Sequence, residues 1–365
     1  MYRNVYLDRH NDTHLRVAPC CQATTAIEPV DEFDFYTSPY LTRFREKFDQ
    51  NLRPAECSRC WEVEQTGGKS KRLASIEFYQ ARQPDRTVAL ESVDHSSTWA
   101  CNLACIMCGP RDSSTWANEQ QLSKQELAKI GRMFQKKNNF LDKLDLSRLK
   151  KIHFNGGEPM LNDDQISLLE KMDEQRVLDQ ALISYNTNGT VMPSKKIVDL
   201  WSRAKLVKIY LSIDATGSAF EYVRWPGKWD QTSRNLLAMK NDFPGNVMFG
   251  FNVTVGSYNI MEIKDLYKWF QTNMNHNREG DQSDFCWQLA TNFDPAGLPK
   301  QVKLTVIDQL KDLEALQGIG AYLKSTINYS EDLSWIQRLE QLDLKRNTDW
   351  RQCLKIYELL KEKIC

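Results

Sequence analysis

Between residues 87 and 290 the chain alternates short β-type runs with stretches of helical spacing. Strands are predicted over residues 87–93, 151–155, 181–187, 207–213, 247–255 and 284–290, each rich in Val, Ile, Phe or Tyr. Helical patterns separate them, for example over 166–175 and 260–271, and a long polar helical stretch runs over 114–149. Strand–helix alternation of this kind predicts a parallel sheet of the α/β class. Six such units make a partial (β/α)6 barrel. Polar or glycine residues close several strands: Asn155-Gly156, Thr187-Asn188-Gly189 and Ser212-Ile213-Asp214. Sites in such folds sit at that end.

The flanking segments differ. Residues 1–86 hold Cys20, Cys21, Cys57 and Cys60 around a helical pattern over 40–52, in which Leu41, Phe44, Phe48 and Leu52 share a face. Residues 291–365 are charged and helical. This gives three parts: a cysteine-rich segment over 1–86, the barrel over 87–290 and a helical extension over 291–365.

Composition narrows the choice. Of 365 residues, 48 are Lys or Arg and 48 are Asp or Glu, so the formal charge is zero, which argues against a nucleic-acid binder held by charge. Neither a membrane-length apolar run nor a signal-peptide core is present, so a cytoplasmic protein is expected. In a reducing compartment, clustered thiols read as metal ligands rather than disulfides. A small segment such as 1–86 buries little core, so a metal staple there makes physical sense. Adjacent Cys20 and Cys21 fit a four-iron cube more easily than one zinc ion, though zinc stays open.

The sharpest pattern is Trp99-Ala-Cys101-Asn-Leu-Ala-Cys105-Ile-Met-Cys108-Gly. Its C-x3-C-x2-C spacing gathers three soft ligands on one loop. Three ligands leave one iron of a four-iron cluster open; a structural zinc with a distant fourth ligand is the competing use. With Gly156-Gly157-Glu158-Pro159 after the second strand, the loop resembles the radical S-adenosylmethionine (radical SAM) superfamily. Met107 departs from the aromatic residue often found before the last cysteine. The 1–86 segment resembles the auxiliary-cluster segment of SPASM/twitch relatives, placed before the barrel instead of after it.

The resemblance implies a [4Fe–4S] cluster on Cys101, Cys105 and Cys108, its open iron chelated by S-adenosylmethionine. It further implies that Gly156, Gly157 and Glu158 bind the cofactor's amino group. Ser212, with Asp214 nearby, would bind the ribose hydroxyls, Arg224 the carboxylate, and Asn252 would flank the adenine. Cys20, Cys21, Cys57 and Cys60 would hold a second [4Fe–4S] cluster, or zinc. The expected reaction is reductive cleavage of the cofactor to a 5′-deoxyadenosyl radical that abstracts a substrate hydrogen, with a flavodoxin- or ferredoxin-like electron donor. The substrate is a peptide or protein, or else a sugar, nucleotide or cofactor precursor. A non-catalytic iron–sulfur or zinc protein is the third alternative. No acid or base residue is singled out.

Overall fold

Short alternating strands form here because every second side chain meets a core while its neighbours face outward. The computed structural model describes residues 3–9, 14–20, 23–65, 70–80, 87–96, 98–120, 122–126, 144–274 and 284–364. The chain divides into two compact units. Unit 1 comprises residues 1–99, 122–185 and 194–208, and unit 2 comprises 100–121, 186–193 and 209–365.

Unit 1 contains strands β1 (Asn4–Arg9), β2 (His14–Ala18), β3 (Ala26–Pro29), β4 (Ser92–Ser96) and β5 (Lys151–Asn155), and the start of β6 (Leu182–Thr187). They lie in the order β3-β2-β1-β4-β5-β6. Pairing is antiparallel between β1 and β2 and between β2 and β3, and parallel from β1 through β4 and β5 to β6. Alternation sets the core: Val5, Leu7, Leu15, Val17, Val93, Ile152, Phe154, Ile183 and Tyr185 are buried. Phe154 and Tyr185 sit opposite each other in register and stack at 5.0 Å.

The first predicted strand, over 87–93, forms later than expected. The Arg3 carbonyl accepts the Glu91 and Ser92 amides, and the β1–β4 ladder starts at the Asn4–Ser92 pair. Glu91 is buried and bonded to Arg3 at 2.9 Å and Lys150 at 2.7 Å. The N-terminal cysteine segment also supplies three strands of this sheet.

Unit 2 holds the end of β7 (Leu206–Leu211), β8 (Val247–Val255) and β9 (Phe285–Leu289), in the order β7-β8-β9. β8 and β9 are parallel, from Phe251 opposite Phe285 to Val255 opposite Leu289. The helix Ile263–Asn273 packs its apolar face through Phe270, 4.8 Å from Phe251 and 5.3 Å from Phe285. Further helices, among them Lys300–Leu310, Gln317–Ser325, Trp335–Arg346 and Ile356–Ile364, fill the C-terminal region as its pattern requires. Of the long helical stretch expected over 114–149, the helix Ser114–Glu119 is seen, and residues 127–143 lie outside the described residues. The fold is of the α/β class with a largely parallel sheet, in keeping with a partial barrel. Among the described residues no helix is long and apolar enough to cross a membrane.

Candidate cluster and cofactor site

A loop without regular structure leaves its carbonyls without ladder partners, so side chains must satisfy them. The cysteine loop of unit 2 shows this almost residue by residue. Thr115 Oγ1 donates to the Cys101 carbonyl at 2.6 Å, Ser113 Oγ to Leu103 at 2.5 Å and Trp116 Nε1 to Cys105 at 2.6 Å. Arg346 Nη2 donates to the Ala104 carbonyl at 2.8 Å, and Arg338 Nη2 to those of Ile106 and Cys108, both at 3.2 Å. The Ala104 and Ile106 amides donate to the Trp225 and Val223 carbonyls at 2.6 and 3.0 Å. Arg346 is itself held by Glu119 through two bonds of 2.7 and 2.8 Å.

On this frame the three thiols are free of disulfides. Cys105 is buried, and Cys101 and Cys108 are half-buried. A hydrogen bond from Cys108 draws the Cys105 thiol down to about 7 against its burial, and the Arg224 guanidinium adds to this. The same hydrogen bond, with burial, pushes Cys108 up. Cys101 Sγ lies 4.0 Å from Asn188 Nδ2. Asn188 also bonds Asn102 Oδ1 at 3.0 Å, and Asn102 Nδ2 bonds Thr190 at 2.8 Å, tying the loop to the segment after β6.

Behind Cys105 lies a buried ion pair. Arg224 reaches Asp214 Oδ2 through Nε at 2.7 Å and Nη2 at 2.6 Å, and its Nη1 is 3.6 Å from Cys105 Sγ. Asp214 Oδ1 accepts the Thr254 amide at 2.7 Å. Burial pushes the Asp214 carboxyl up, and Arg224 and the Thr254 amide work against that. Asn259 Nδ2 fixes the same corner, donating to the Asp214 and Thr254 carbonyls at 2.9 and 3.0 Å. Tyr258, beside it, is fully buried, and its hydroxyl has no partner among the described residues.

The sequence reading gave Arg224 a cofactor carboxylate; in the structure its guanidinium holds a carboxylate of the protein, Asp214. Ser212 is half-buried after β7, its amide on the Thr187 carbonyl at 2.7 Å. Asn252 is half-buried on β8, in register with Cys286 of β9. Unit 2 thus brings together Cys101, Cys105, Cys108, Asp214 and Arg224. Reading the sequence missed Tyr258, Asn259, Arg338 and Arg346. The two arginines carried a weak signal, being eight positions apart and so on one side of a helix.

Unit 1 carries the remaining candidates. Gly156 has φ +84°, and a Cβ there would lie 2.4 Å from Ser96 Oγ and 2.7 Å from the Thr98 carbonyl, so only glycine fits. Gly157 also has positive φ, +23°. Glu158 is fully buried, and its Oε1 accepts the Met160 amide at 3.0 Å, capping the turn Pro159–Leu161. Of the N-terminal cysteines, Cys57 and Cys60 are buried and Cys20 is half-buried. Burial, with the fields of Cys20 and Cys60, pushes the Cys57 thiol up to about 12. Cys21 lies outside the described residues. Glu64 accepts from Ser70 and pairs with Arg72, whose guanidinium covers Trp61 at 4.4 Å.

Residues 96–270 match the model of the Radical SAM superfamily. The match covers 175 of the 365 residues, from just before the cysteine loop to within the helix after β8. The chain is 28% identical over 199 residues to the probable GTP 3′,8-cyclase of Methanothermobacter marburgensis, covering 54% of each protein. It is 26% identical over 145 residues to the mycofactocin maturase MftC of Mycolicibacterium smegmatis, covering 40% of this chain and 33% of MftC. The chain spans about half the length, or less, of the curated relatives it matches. Among solved structures it is similar to anSMEcpe with bound AdoMet, at TM-score 0.40 and 16% identity, over 63% of this chain and 60% of the other.

A radical SAM domain implies a [4Fe–4S] cluster and S-adenosylmethionine. The donor set of the loop fits the cluster: three reduced thiols on one braced turn, one with its ionisation eased. Among the described residues no three His, Cys, Asp or Glu side chains converge on a single metal ion, and a cube takes its thiolates at separate corners.

A cavity of about 590 Å³ opens in unit 2 just after β9. Among the described residues its wall includes Asn292, Phe293, Asp294, Tyr329, Asp332 and Trp335, and no Lys or Arg. Phe293 also packs edge-on against Tyr258 at 5.0 Å, and the Arg338 guanidinium lies 5.5 Å from its ring. Since Arg338 bonds the Cys108 carbonyl, this wall of the cavity and the cysteine loop share one chain of contacts.

Proposed function

We propose that the chain is a radical SAM enzyme that cleaves S-adenosylmethionine reductively and takes a hydrogen atom from a peptide or protein substrate. The carrying observation is the thiol loop: three reduced cysteines at C-x3-C-x2-C spacing whose backbone is gripped from three directions, by Trp116, Arg338 and Arg346. Cys101, Cys105 and Cys108 would hold the cluster. When bound, cluster and cofactor supply one-electron chemistry that yields methionine and 5′-deoxyadenosine and removes a substrate hydrogen.

The protein's part is to bind, orient and exclude water. Leu103, Ala104 and Ile106 are buried along the loop and keep its base dry. The Asp214–Arg224 pair fixes the Cys105 side of the loop. Gly156, Gly157 and Glu158 would take the cofactor's amino group, Ser212 the ribose and Asn252 the adenine edge. Cys57, Cys60 and at least one of Cys20 and Cys21 would hold a second four-iron cluster acting as an electron relay. A flavodoxin- or ferredoxin-like protein would supply the electron.

The cavity after β9 favours the peptide reading over the nucleotide one. A triphosphate such as the GTP named for the cyclase relatives calls for cationic side chains. Asp294 and Asp332 give this wall the opposite charge, which suits a neutral or cationic group such as a peptide's polar side chain. Release of 5′-deoxyadenosine by the anaerobically reconstituted protein, with dithionite and S-adenosylmethionine, tests the activity. Adding GTP should leave the rate unchanged; a GTP-dependent rise would replace the peptide reading with the small-molecule one.

A further inference from the structure

Among the described residues, Tyr258 offers a buried hydroxyl beside the cysteine loop that the roles above leave unused. Its residue is fully buried, and among the described residues the hydroxyl has no hydrogen-bond partner. Leaving such a group unpaired in a protein interior is costly, and native structures rarely do so without a reason. The ring is not there by slack packing. A Cβ on Gly256 would lie 2.5 Å from Tyr258 Cε1, so the glycine makes room for the ring. Phe293 clamps its other side at 5.0 Å, edge-on. The turn is pinned by Asn259, which accepts the Gly256 amide at 2.8 Å, and by the Ser257 amide on the Phe293 carbonyl at 2.7 Å.

The groups whose charges reach the hydroxyl are Asp214, Arg224, Cys108 and Cys105. Asp214 already gives Oδ2 to Arg224 and Oδ1 to the Thr254 amide. Of these four groups, Asp214 already accepts three hydrogen bonds and Arg224 accepts none, so the sulfurs, Cys108 first, are the acceptors with most room for another.

We propose that Tyr258 is a positioning residue whose hydroxyl donates a hydrogen bond to the sulfurs on the Cys105–Cys108 side of the bound cluster. This rests on the reading that the loop holds a [4Fe–4S] cluster. A donor to cluster sulfur stabilises the more negative, reduced state and so raises the reduction potential. Tyr258 thereby makes the cluster easier to reduce, and the hydroxyl gains the partner it lacks without iron.

The test is Tyr258→Phe, which keeps the ring and removes only the donor, with Tyr185→Phe as a control at a buried tyrosine in unit 1. Both proteins are reconstituted anaerobically, iron is counted, and the potential is titrated by electron paramagnetic resonance. Tyr258→Phe should retain wild-type iron and shift the potential to more negative values, while Tyr185→Phe leaves it in place. Iron-free Tyr258→Phe should melt at or above the wild-type temperature, because an unpaired buried hydroxyl is gone. An unchanged potential in loaded Tyr258→Phe, an equal shift in both variants, or a lower melting temperature of the iron-free protein overturns the proposal. A wild type that binds no iron removes the underlying reading and this inference together.

Discussion

Arg224 holds Asp214 through Nε at 2.7 Å and Nη2 at 2.6 Å while its Nη1 stands 3.6 Å from the Cys105 sulfur. One guanidinium thus couples the end of β7 to the cysteine loop, with both partners buried. Removing one member strands the other's charge. Asp214→Asn should therefore destabilise the protein by about 3–5 kcal/mol in urea unfolding. Replacing both residues, as Asp214→Leu with Arg224→Met, should recover much of that loss. A single variant as stable as the wild type would show that the pair is not fixed as described.

Gly156 is held at φ +84° with Ser96 and Thr98 where a Cβ would stand. Left-handed backbone costs a non-glycine residue about 1–3 kcal/mol, and the clash with the Thr98 carbonyl adds to it. Gly156→Ala should lower stability by at least the smaller of these figures. Unchanged urea unfolding in that variant would contradict the turn geometry.

His95, buried on β4, has its ionisation lowered from 6.5 to about 4, because burial disfavours the cation. The unfolded chain then binds the proton more readily than the folded one. The stabilisation is complete above pH 6.5 and is lost as the pH falls towards 4. A shift of this size is worth about 3 kcal/mol. Wild-type stability should drop by about that much more than that of His95→Gln over this range. Parallel pH profiles would rule the effect out.

The elements were legible where the alternation was long. Residues 151–155 and 247–255 form strands with the bounds their patterns give, as β5 and β8. The strands β1, β2 and β3 were not read, since four to six residues between turns carry too little periodicity to separate from loop. The cysteine loop was legible because three soft ligands at fixed spacing have few other uses. Its bracing by Arg338 and Arg346 was not, because their contacts with Cys108 and Ala104 span more than two hundred residues, and spacing carries no such information. Arg224 stood out in the sequence by its place after the fourth predicted strand, yet only the fold shows that Asp214 is its partner.

For the N-terminal cysteines, the double variant Cys57→Ala with Cys60→Ala should stop turnover of the native substrate while sparing slow, uncoupled release of 5′-deoxyadenosine. A structural zinc would instead make the variant misfold and lose both activities. Measuring the two activities side by side, with circular dichroism as the check on folding, separates these outcomes.

The most direct test of the central claim is iron content and cofactor cleavage in the variant with Cys101, Cys105 and Cys108 all changed to Ala. The reconstituted wild type should bind a [4Fe–4S] cluster on this loop and release 5′-deoxyadenosine with dithionite and S-adenosylmethionine. The triple variant should lose four irons per chain and all release. A triple variant that keeps its full iron, or a wild type that holds only zinc and releases nothing, would contradict the assignment.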